Sequence, residues 1–173
     1  MGDSSSIAMQ WAMDNLPDNG TVLIRPGNYI LDGDVFVPSN VNVIGSGEST
    51  VITSSVGGIT LEDSSGVKLS DFRLSGTSHL LVIANEEDVS SIMLSNISAS
   101  GIVNDAAFHF LTRGNTISDV TVADCSARSS AANGFLLEGT NGDSHFMNVT
   151  FRGCSALDLV ANGDPRNDVF GFD

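Results

Sequence analysis

The chain has 173 residues and a formal net charge of −14, because 21 acidic residues face only 7 basic ones. This length suits one domain with a continuous core. A phosphate-tracking surface needs clustered basic residues, so the composition excludes a nucleic-acid binder and disfavours an anionic membrane surface as partner. Hydrophobic residues make up 41% of the chain, which argues against disorder. No apolar run approaches the roughly 18 residues of a membrane-spanning helix.

Residues 4–17 are predicted to form one short helix. Ser4 to Ser6 supply candidate N-cap residues, and Ile7 and Trp11 belong to a helical stripe of apolar side chains. The segment from Pro17 to Gly20 has the composition of a turn and ends this helix.

From residue 21 onward the pattern changes to short β-rich runs. Gly, Asn, Asp and Ser separate these runs, and no second helical stretch of comparable length follows. Many short strands with closely spaced turn signals are typical of an all-β protein. The first of these runs are residues 22–24, 29–31, 35–37, 41–44 and 51–52.

An internal repeat organises the rest of the chain. Four segments that begin at Val67, Ile92, Val120 and Val149 align with one another at nearly even intervals, which is the sequence signature of a repeat architecture. Apolar residues occupy the first, third, sixth and eighth positions of the segments. The fifth position holds residue types that tolerate a left-handed turn. These residues are Asp71, Asn96, Asp124 and Gly153.

A second strand is predicted after each copy of the repeat, at residues 81–83, 108–110, 135–137 and 170–172. Each repeat is thus about three short strands and three turns, a unit that cannot bury its own apolar face. Stacking the units buries that face in continuous ladders. A β-sandwich would need hairpin turns and would not repeat at this spacing. The sequence therefore predicts a right-handed parallel β-helix of about five to six coils over residues 20–173, capped by the helix at residues 4–17.

Three segments of the first third of the chain carry a family resemblance. They are residues 6–17 (SIAMQWAMDNLP), 20–29 (GTVLIRPGNY) and 41–52 (VNVIGSGESTVI). Together they resemble the entry segment of the pectate-lyase-like superfamily, which implies that the helix caps the open N-terminal end of the β-helix. The later repeats are similar to β-helix proteins of archaeal, methanogen-type cell surfaces and to the β-helix module of alginate C5-epimerases. The resemblance covers essentially the whole chain and specifies fold more than function.

The catalytic patterns of these families are incomplete in this sequence. It lacks the clustered Asp residues with Arg-x-Pro-x-x-Arg of pectate lyases, and the Asp-Asp and His-Gly of polygalacturonases. The epimerases place Asp-Pro-His after a Gly-Phe. The present chain has Gly171, Phe172 and Asp173 without the Pro-His.

One outer face carries candidate functional residues around His109. Because Phe108 and Phe110 are predicted to point inward, His109 points outward. The positions in register with it are Thr60, Val82, Leu136 and Gly171, and the next outward positions are Glu62, Ala84, Leu111, Glu138 and Asp173. His109, Arg113 and Glu138 are candidate catalytic residues, with Glu62 and Asp173 on the same substrate-binding face. Uronide chemistry needs such a set: a cation to neutralise the sugar carboxylate, a base for the C5 proton and an acid for the leaving oxygen. The alternative is a solvated face without chemistry.

The same face also carries apolar residues that are predicted to point outward. An exposed apolar stripe marks a partner surface or the underside of a covering segment. The stripe therefore makes Val82, Ala84, Leu111 and Leu136 candidate interface residues.

The two cysteines are predicted to stack. Cys125 and Cys154 are one repeat length apart and occupy the same inward position of successive repeats. At the strand spacing of about 4.8 Å, parallel Cα–Cβ vectors leave the Cβ atoms somewhat too far apart for a disulfide, so two packed thiols are favoured over a bridge.

These observations favour an extracellular or cell-surface β-helix module that binds polysaccharide or assembles with neighbouring subunits, including copies of itself. The alternatives are a polysaccharide lyase or uronate C5-epimerase that acts on an acidic polysaccharide, and a viral tailspike-like adhesin. No cofactor is expected apart from calcium, for which the Asp-rich turns are the candidate ligands. The sequence shows no signal peptide.

Overall fold

The computed structural model describes residues 5–76, 79–102, 106–128 and 133–157. One helix, α1 (Ser5–Asp14), precedes fifteen strands. The strands are β1 (Thr21–Leu23), β2 (Gly27–Leu31), β3 (Val35–Phe36), β4 (Asn42–Ile44), β5 (Thr50–Ser54), β6 (Ile59–Glu62), β7 (Lys68–Gly76), β8 (Leu80–Ala84), β9 (Val89–Ser100), β10 (Ala106–Thr112), β11 (Thr116–Ala123), β12 (Ser126–Arg128), β13 (Asn133–Gly139), β14 (His145–Arg152) and β15 (Ser155–Leu157).

The strands form a parallel β-solenoid of about five coils, where a coil is one full turn of the chain around the core. The first sheet has ten strands and follows the order β1-β4-β7-β9-β11-β14, with β2, β5, β12 and β15 attached beside this path. The second sheet has five strands in the order β13-β10-β8-β6-β3. Successive coils pair in parallel throughout, so the predicted all-β solenoid with one N-terminal helix is confirmed.

Within the first sheet the chain bends where the repeat predicts left-handed residues. Asp71, Asn96, Asp124 and Gly153 have φ angles of 63°, 53°, 54° and 62°. The Asn96 side-chain amide also donates a hydrogen bond to the Asp71 carboxylate at 2.6 Å. Short polar side chains and glycine are the residues that adopt this conformation at low cost, which explains their recurrence at the fifth position.

A second column of left-handed residues was not predicted. Its members occupy equivalent positions of successive coils, just before the first-sheet strands or at a bend within them. The Asn148 amide donates to the Asp119 carboxylate at 2.8 Å, so a side-chain hydrogen bond links neighbouring coils in this column too. Its members are Asn19, Asn40, Gly66, Ser91, Asp119 and Asn148, with φ angles of 60°, 60°, 71°, 59°, 51° and 56°.

The helix is shorter than predicted, and two of its serines act differently from N-caps. It ends at Asp14, ahead of Pro17. The Ser5 and Ser6 hydroxyls accept hydrogen bonds from the backbone amides of Ile30 at 3.2 Å and Asp32 at 3.0 Å. These serines therefore attach α1 to the first coil.

Gln10 of α1 binds the edge of the second sheet in the manner of a strand. Its amide oxygen accepts from the Phe36 backbone N–H at 2.8 Å, and its amide nitrogen donates to the Phe36 carbonyl at 3.0 Å. One side chain thus satisfies both backbone groups of an edge residue.

The core is a continuous apolar column inside the coils. Its largest fully buried side chains include Phe72, Phe108 and Phe110. Phe108 stacks on Phe135 of the next coil with ring centroids 4.8 Å apart and planes 9° from parallel. Like residues therefore stack on like, as the repeat predicts.

Both cysteines are unbonded thiols, in agreement with the predicted packing. Cys125 is buried, and burial raises the pKa of its thiol from 9.0 to about 12. Cys154 is half-buried, and its thiol lies 3.4 Å from the Val122 carbonyl oxygen.

Thiol titration is expected to find two free thiols per chain in denaturant, with Cys125 protected in the native protein. The thiolate is the reactive form, and burial suppresses it at neutral pH. Mass spectrometry after alkylation at pH 8 should detect slower labelling of Cys125 than of Cys154. A denatured sample with no free thiol would contradict the unbonded arrangement.

Candidate functional site

The outer face of the second sheet carries five of the predicted site and interface residues, namely Glu62, His109, Leu111, Leu136 and Glu138. In this sheet His109 pairs with Leu81 on one side and Leu136 on the other, and Leu81 pairs with Thr60. Two residues further along the strands, the outward positions are Glu62, Ile83, Leu111 and Glu138. These eight residues together define the outer face.

The assignment of β8 was wrong by one residue. Val82 and Ala84 were predicted to face outward, yet both are 0% exposed and point into the core. Phe108 pairs with Leu80, so Leu81 and Ile83 occupy the outward positions. Because side chains alternate along a strand, a slip of one residue exchanges the two faces. Val82 and Ala84 are therefore not interface residues.

The apolar part of the outer face is largely covered. Leu111 is 8% exposed and Ile83 is 5% exposed, although both point away from the core. Leu136 and Leu81 are half-buried. These side chains form an apolar floor between polar groups.

His109 and Glu138 form a close pair on this face. His109 Nε2 lies 3.0 Å from Glu138 Oε2, and the side chains are 11% and 47% exposed. Strands β10 and β13 position the two residues, because Leu111 pairs with Glu138 and His109 lies two residues earlier on the same side of its strand. The carboxylate fixes the orientation of the imidazole ring and stays half open to solvent.

Arg113 belongs to a second polar group that extends toward the earlier coils. Its Nη1 donates to the Asn85 amide oxygen at 3.3 Å, and the Asn85 amide nitrogen donates to Glu62 Oε1 at 3.3 Å. Asn85 was not predicted as a site residue. Asn85 follows β8, and the sequence does not specify how β8 pairs with its neighbours. Its proximity to Arg113 could therefore not be predicted.

The His109–Glu138 pair and the group of Arg113, Asn85 and Glu62 extend in opposite directions along the solenoid. The His109 pair extends to the following coil, whereas Arg113 reaches back to the preceding one. Glu62 and Glu138 are three coils apart, a separation of about 14 Å at the usual strand spacing. The paired carboxylates of glycosidases lie about 5 to 10 Å apart, so Glu62 and Glu138 cannot act together on one glycosidic bond. The face can form hydrogen bonds to several successive units of an extended ligand.

An acidic turn beside this face is stabilised by the Asp63 carboxylate, which therefore has a structural role. One oxygen of the Asp63 carboxylate accepts hydrogen bonds from the backbone amides of Asn85, Glu86 and Glu87 at 2.7, 3.1 and 3.2 Å. Among the described residues, no group of three or more His, Cys, Asp or Glu side chains is arranged to hold a metal ion. Asp173, the remaining member of the predicted face, and Gly171 lie outside the described residues.

No known family model matches this chain, and no curated protein matches its sequence. Several solved structures share its fold, and two of them are described here. A proposed glycosyl hydrolase from Parabacteroides merdae ATCC 43184 has a TM-score of 0.57 and 14% sequence identity, and the match covers 90% of this chain and 92% of that one. ORF18 of Geobacillus virus E2 has a TM-score of 0.62 and 13% identity, over 87% of this chain and 38% of the viral chain.

These likenesses establish the β-solenoid fold alone, because solenoids of this type carry many functions. This chain spans well under half of the viral protein. Within the described part of the chain, no helix has the length and apolar character needed to cross a bilayer.

Proposed function

We propose that this chain is an extracellular or cell-surface module that binds a polysaccharide along the outer face of the second sheet. The observation that carries the proposal is the series of polar groups on an apolar floor. The His109–Glu138 pair and the group of Arg113, Asn85 and Glu62 together span four successive coils. An extended sugar chain fits this arrangement, because its successive sugar units can form hydrogen bonds with the polar groups of successive coils.

The charges favour a ligand that binds through hydroxyl groups. Glu62 and Glu138 accept hydrogen bonds, Arg113 donates them, and Asn85 does both. The face has no excess of positive charge and the whole chain carries −14, so a polyanion would be repelled. The half-buried Leu81 and Leu136 of the apolar floor suit the C–H faces of sugar rings.

Affinity electrophoresis tests the proposal with the purified chain. Gels that contain hydroxyethyl cellulose, galactomannan or dextran are compared with gels that contain alginate or pectate, and with gels without polymer. At least one neutral polymer is expected to retard the protein. Glu138→Gln and Arg113→Ala should each weaken that binding by about tenfold, because a lost hydrogen bond to a charged group costs about 1.5 kcal/mol.

Arg152→Ala is the matched control. Arg152 is an exposed arginine on β14, in the first sheet, and its removal changes the net charge as Arg113→Ala does. The control should bind as the unchanged chain does. An absence of retardation by every polymer, or equal weakening by Arg152→Ala, would refute binding at this face.

A polysaccharide lyase or uronate epimerase is the second candidate, and the His109–Glu138 pair is the observation that favours it. A carboxylate that orients an imidazole is a common arrangement for a general base. The direction of Arg113 toward Asn85 counts against it, since the cation needed for the sugar carboxylate then lies away from His109. Ultraviolet absorbance and proton NMR on alginate and pectate, with and without calcium, detect the two activities. Turnover that disappears in His109→Ala would establish the enzyme.

A further inference from the structure

A groove lies at the N-terminal end of the solenoid, between α1 and the first strand of the first sheet. It has a volume of about 410 Å³, and Arg25 is the single charged residue in its lining. Two of the helix residues that line it are alanines, whose short side chains leave space between α1 and β1. The apolar lining residues of α1 and β1 are Ala8, Met9, Ala12, Val22, Leu23 and Ile24.

β1 is the terminal strand of its sheet, and its outer edge has no partner strand in the described part of the chain. The Gly20 carbonyl accepts a hydrogen bond from a β4 amide at 2.9 Å, and the Ile24 N–H donates to the Ile44 carbonyl at 2.8 Å. Backbone groups alternate along a strand, so the N–H and C=O groups of Thr21 and Leu23 point to the outer edge. The side-chain hydrogen bonds that attach α1, described above, go to β2, to the residue after it and to β3, and they leave this edge of β1 open.

A strand added to this edge would bury apolar surface on both sides of β1. Val22 pairs with the buried Val43 and points toward the core, whereas Leu23 points outward and is 71% exposed. At the usual strand spacing of about 4.8 Å, one side chain of the added strand would lie above Val22, in the groove beside Met9. The next side chain would lie above Leu23, and the backbone between them would pair with Thr21 and Leu23.

Arg25 supplies a positive charge at one end of this edge. It directly follows Ile24, and the Tyr29 hydroxyl donates to its carbonyl at 2.9 Å, which fixes the backbone here. Its guanidinium has no hydrogen bond or ion pair with any residue that the structure describes. All pairs of described strands are parallel, so a strand added in the same sense would end beside Arg25. A carboxylate at that end would accept paired hydrogen bonds from the guanidinium.

We propose that this edge binds an extended apolar peptide, added to β1 as a parallel strand, whose last residue presents a carboxylate to Arg25. The free backbone groups of Thr21 and Leu23 favour a peptide over a fatty acid, which would fill the groove but leave these groups unpaired. Strand addition to an open sheet edge is an established mode of peptide recognition. The site shares no residue with the outer face of the second sheet, so it is independent of the proposed polysaccharide binding.

Calorimetric titration and NMR of the ¹⁵N-labelled chain test the proposal with synthetic peptides. The probes are acetyl-Thr-Val-Leu-Ile as the free acid, the same peptide as the amide, and the amide of acetyl-Thr-Val-Leu-Asp. Saturable shifts at residues 21–25 are expected, with the amide of the first peptide bound about tenfold more weakly than its free acid. The tighter of the two peptides with a carboxylate identifies the chain terminus or the side chain as its source. Binding of octanoate without binding of any peptide would overturn the proposal.

Two variants with matched controls make the test specific. Arg25→Gln should weaken binding of the free acid about tenfold and leave binding of the amide unchanged, a difference that unfolding cannot produce. Ala8→Phe should fill the groove and abolish binding of both. The controls are Arg152→Gln, on β14, and Ile7→Phe, at a helix residue that is 73% exposed and lies outside the groove lining. Both controls should bind as the unchanged chain does.

N-methylation of the peptide tests the pairing of its backbone with β1. Only alternate residues of an edge strand direct their N–H groups to the partner strand. Methylation at these residues should abolish binding, and methylation at the residues between them should leave it nearly unchanged. Equal effects at all positions would overturn strand addition. Equal affinities of the free acid and the amide would overturn the role of Arg25, and an absence of shifts at residues 21–25 would overturn the site.

Discussion

Replacing Gly45 with alanine is expected to destabilise the fold by about 3 kcal/mol, the upper end of overpacking costs. A Cβ at this position would overlap the Asp71 carbonyl oxygen of the next coil and lie 2.9 Å from Phe72 Cβ. Phe72 is buried, and the Gly45 amide donates to the Ser70 carbonyl at 2.8 Å, so neither coil can shift without loss of ladder hydrogen bonds or core packing.

Two glycine controls separate the steric overlap from other effects. A Cβ added at Gly33 would meet open space, so Gly33→Ala should change the free energy of unfolding by less than about 1 kcal/mol. Gly47 has the same open space but a φ of 68°, so Gly47→Ala should cost about 1 to 2 kcal/mol from backbone strain alone. Urea denaturation followed by circular dichroism measures all three. Equal stabilities of the Gly45 and Gly33 variants would contradict the close approach of these coils.

Phe108→Ala is expected to cost about 3 to 5 kcal/mol, the range for removal of a buried aromatic ring. The side chain is 0% exposed and stacks on Phe135 of the next coil. The void would lie between coils that contact mainly their neighbours, so the loss of stability should be concentrated around β10 and β13.

Phe36→Ala is the matched control for the aromatic core. Phe36 lies in the same sheet but is 46% exposed, and its bonds to Gln10 use only backbone atoms. Its replacement should cost less than about 1 kcal/mol. Hydrogen exchange should lose protection at β10 and β13 in Phe108→Ala while α1 and β1 keep theirs. Similar costs for the two variants would refute the central role of the Phe108 stack.

Much of the fold was predictable because the repeat is a local signal. The apolar positions of the segments at Val67, Ile92, Val120 and Val149 point inward, and each fifth residue for which the repeat predicts a left-handed turn adopts it. The second left-handed column was missed because its residues, such as Ser91 and Gly66, share no single residue type.

The register of β8 was not predictable from the residues of that strand. Leu80, Leu81, Val82, Ile83 and Ala84 are all apolar, so alternation gives no evidence for which side faces the core. The choice depends on pairing with Phe108, a contact between coils. The same contact decides which residues lie beside His109, and it brings Asn85 next to Arg113.

The contact between His109 and Glu138, in contrast, was predictable from the sequence, because the residues of both strands show which side faces the core. Strands β10 and β13 each carry a phenylalanine, Phe108 and Phe135, that fixes the inward side. The sequence could not predict toward which neighbouring coil each long side chain extends. Arg113 contacts Asn85 of the preceding coil, whereas His109 contacts Glu138 of the following coil.

The attachment of α1 by Gln10, Ser5 and Ser6 has a consequence for self-association. A parallel sheet presents unpaired N–H and C=O groups at its terminal strand, and such an edge templates the addition of further strands from other molecules. Here one glutamine satisfies both backbone groups of Phe36, and two serines occupy amides of β2 and of the residue that follows it. The helix therefore occupies backbone groups at the outer edge of β2 and β3 that would otherwise be open to a strand from another molecule.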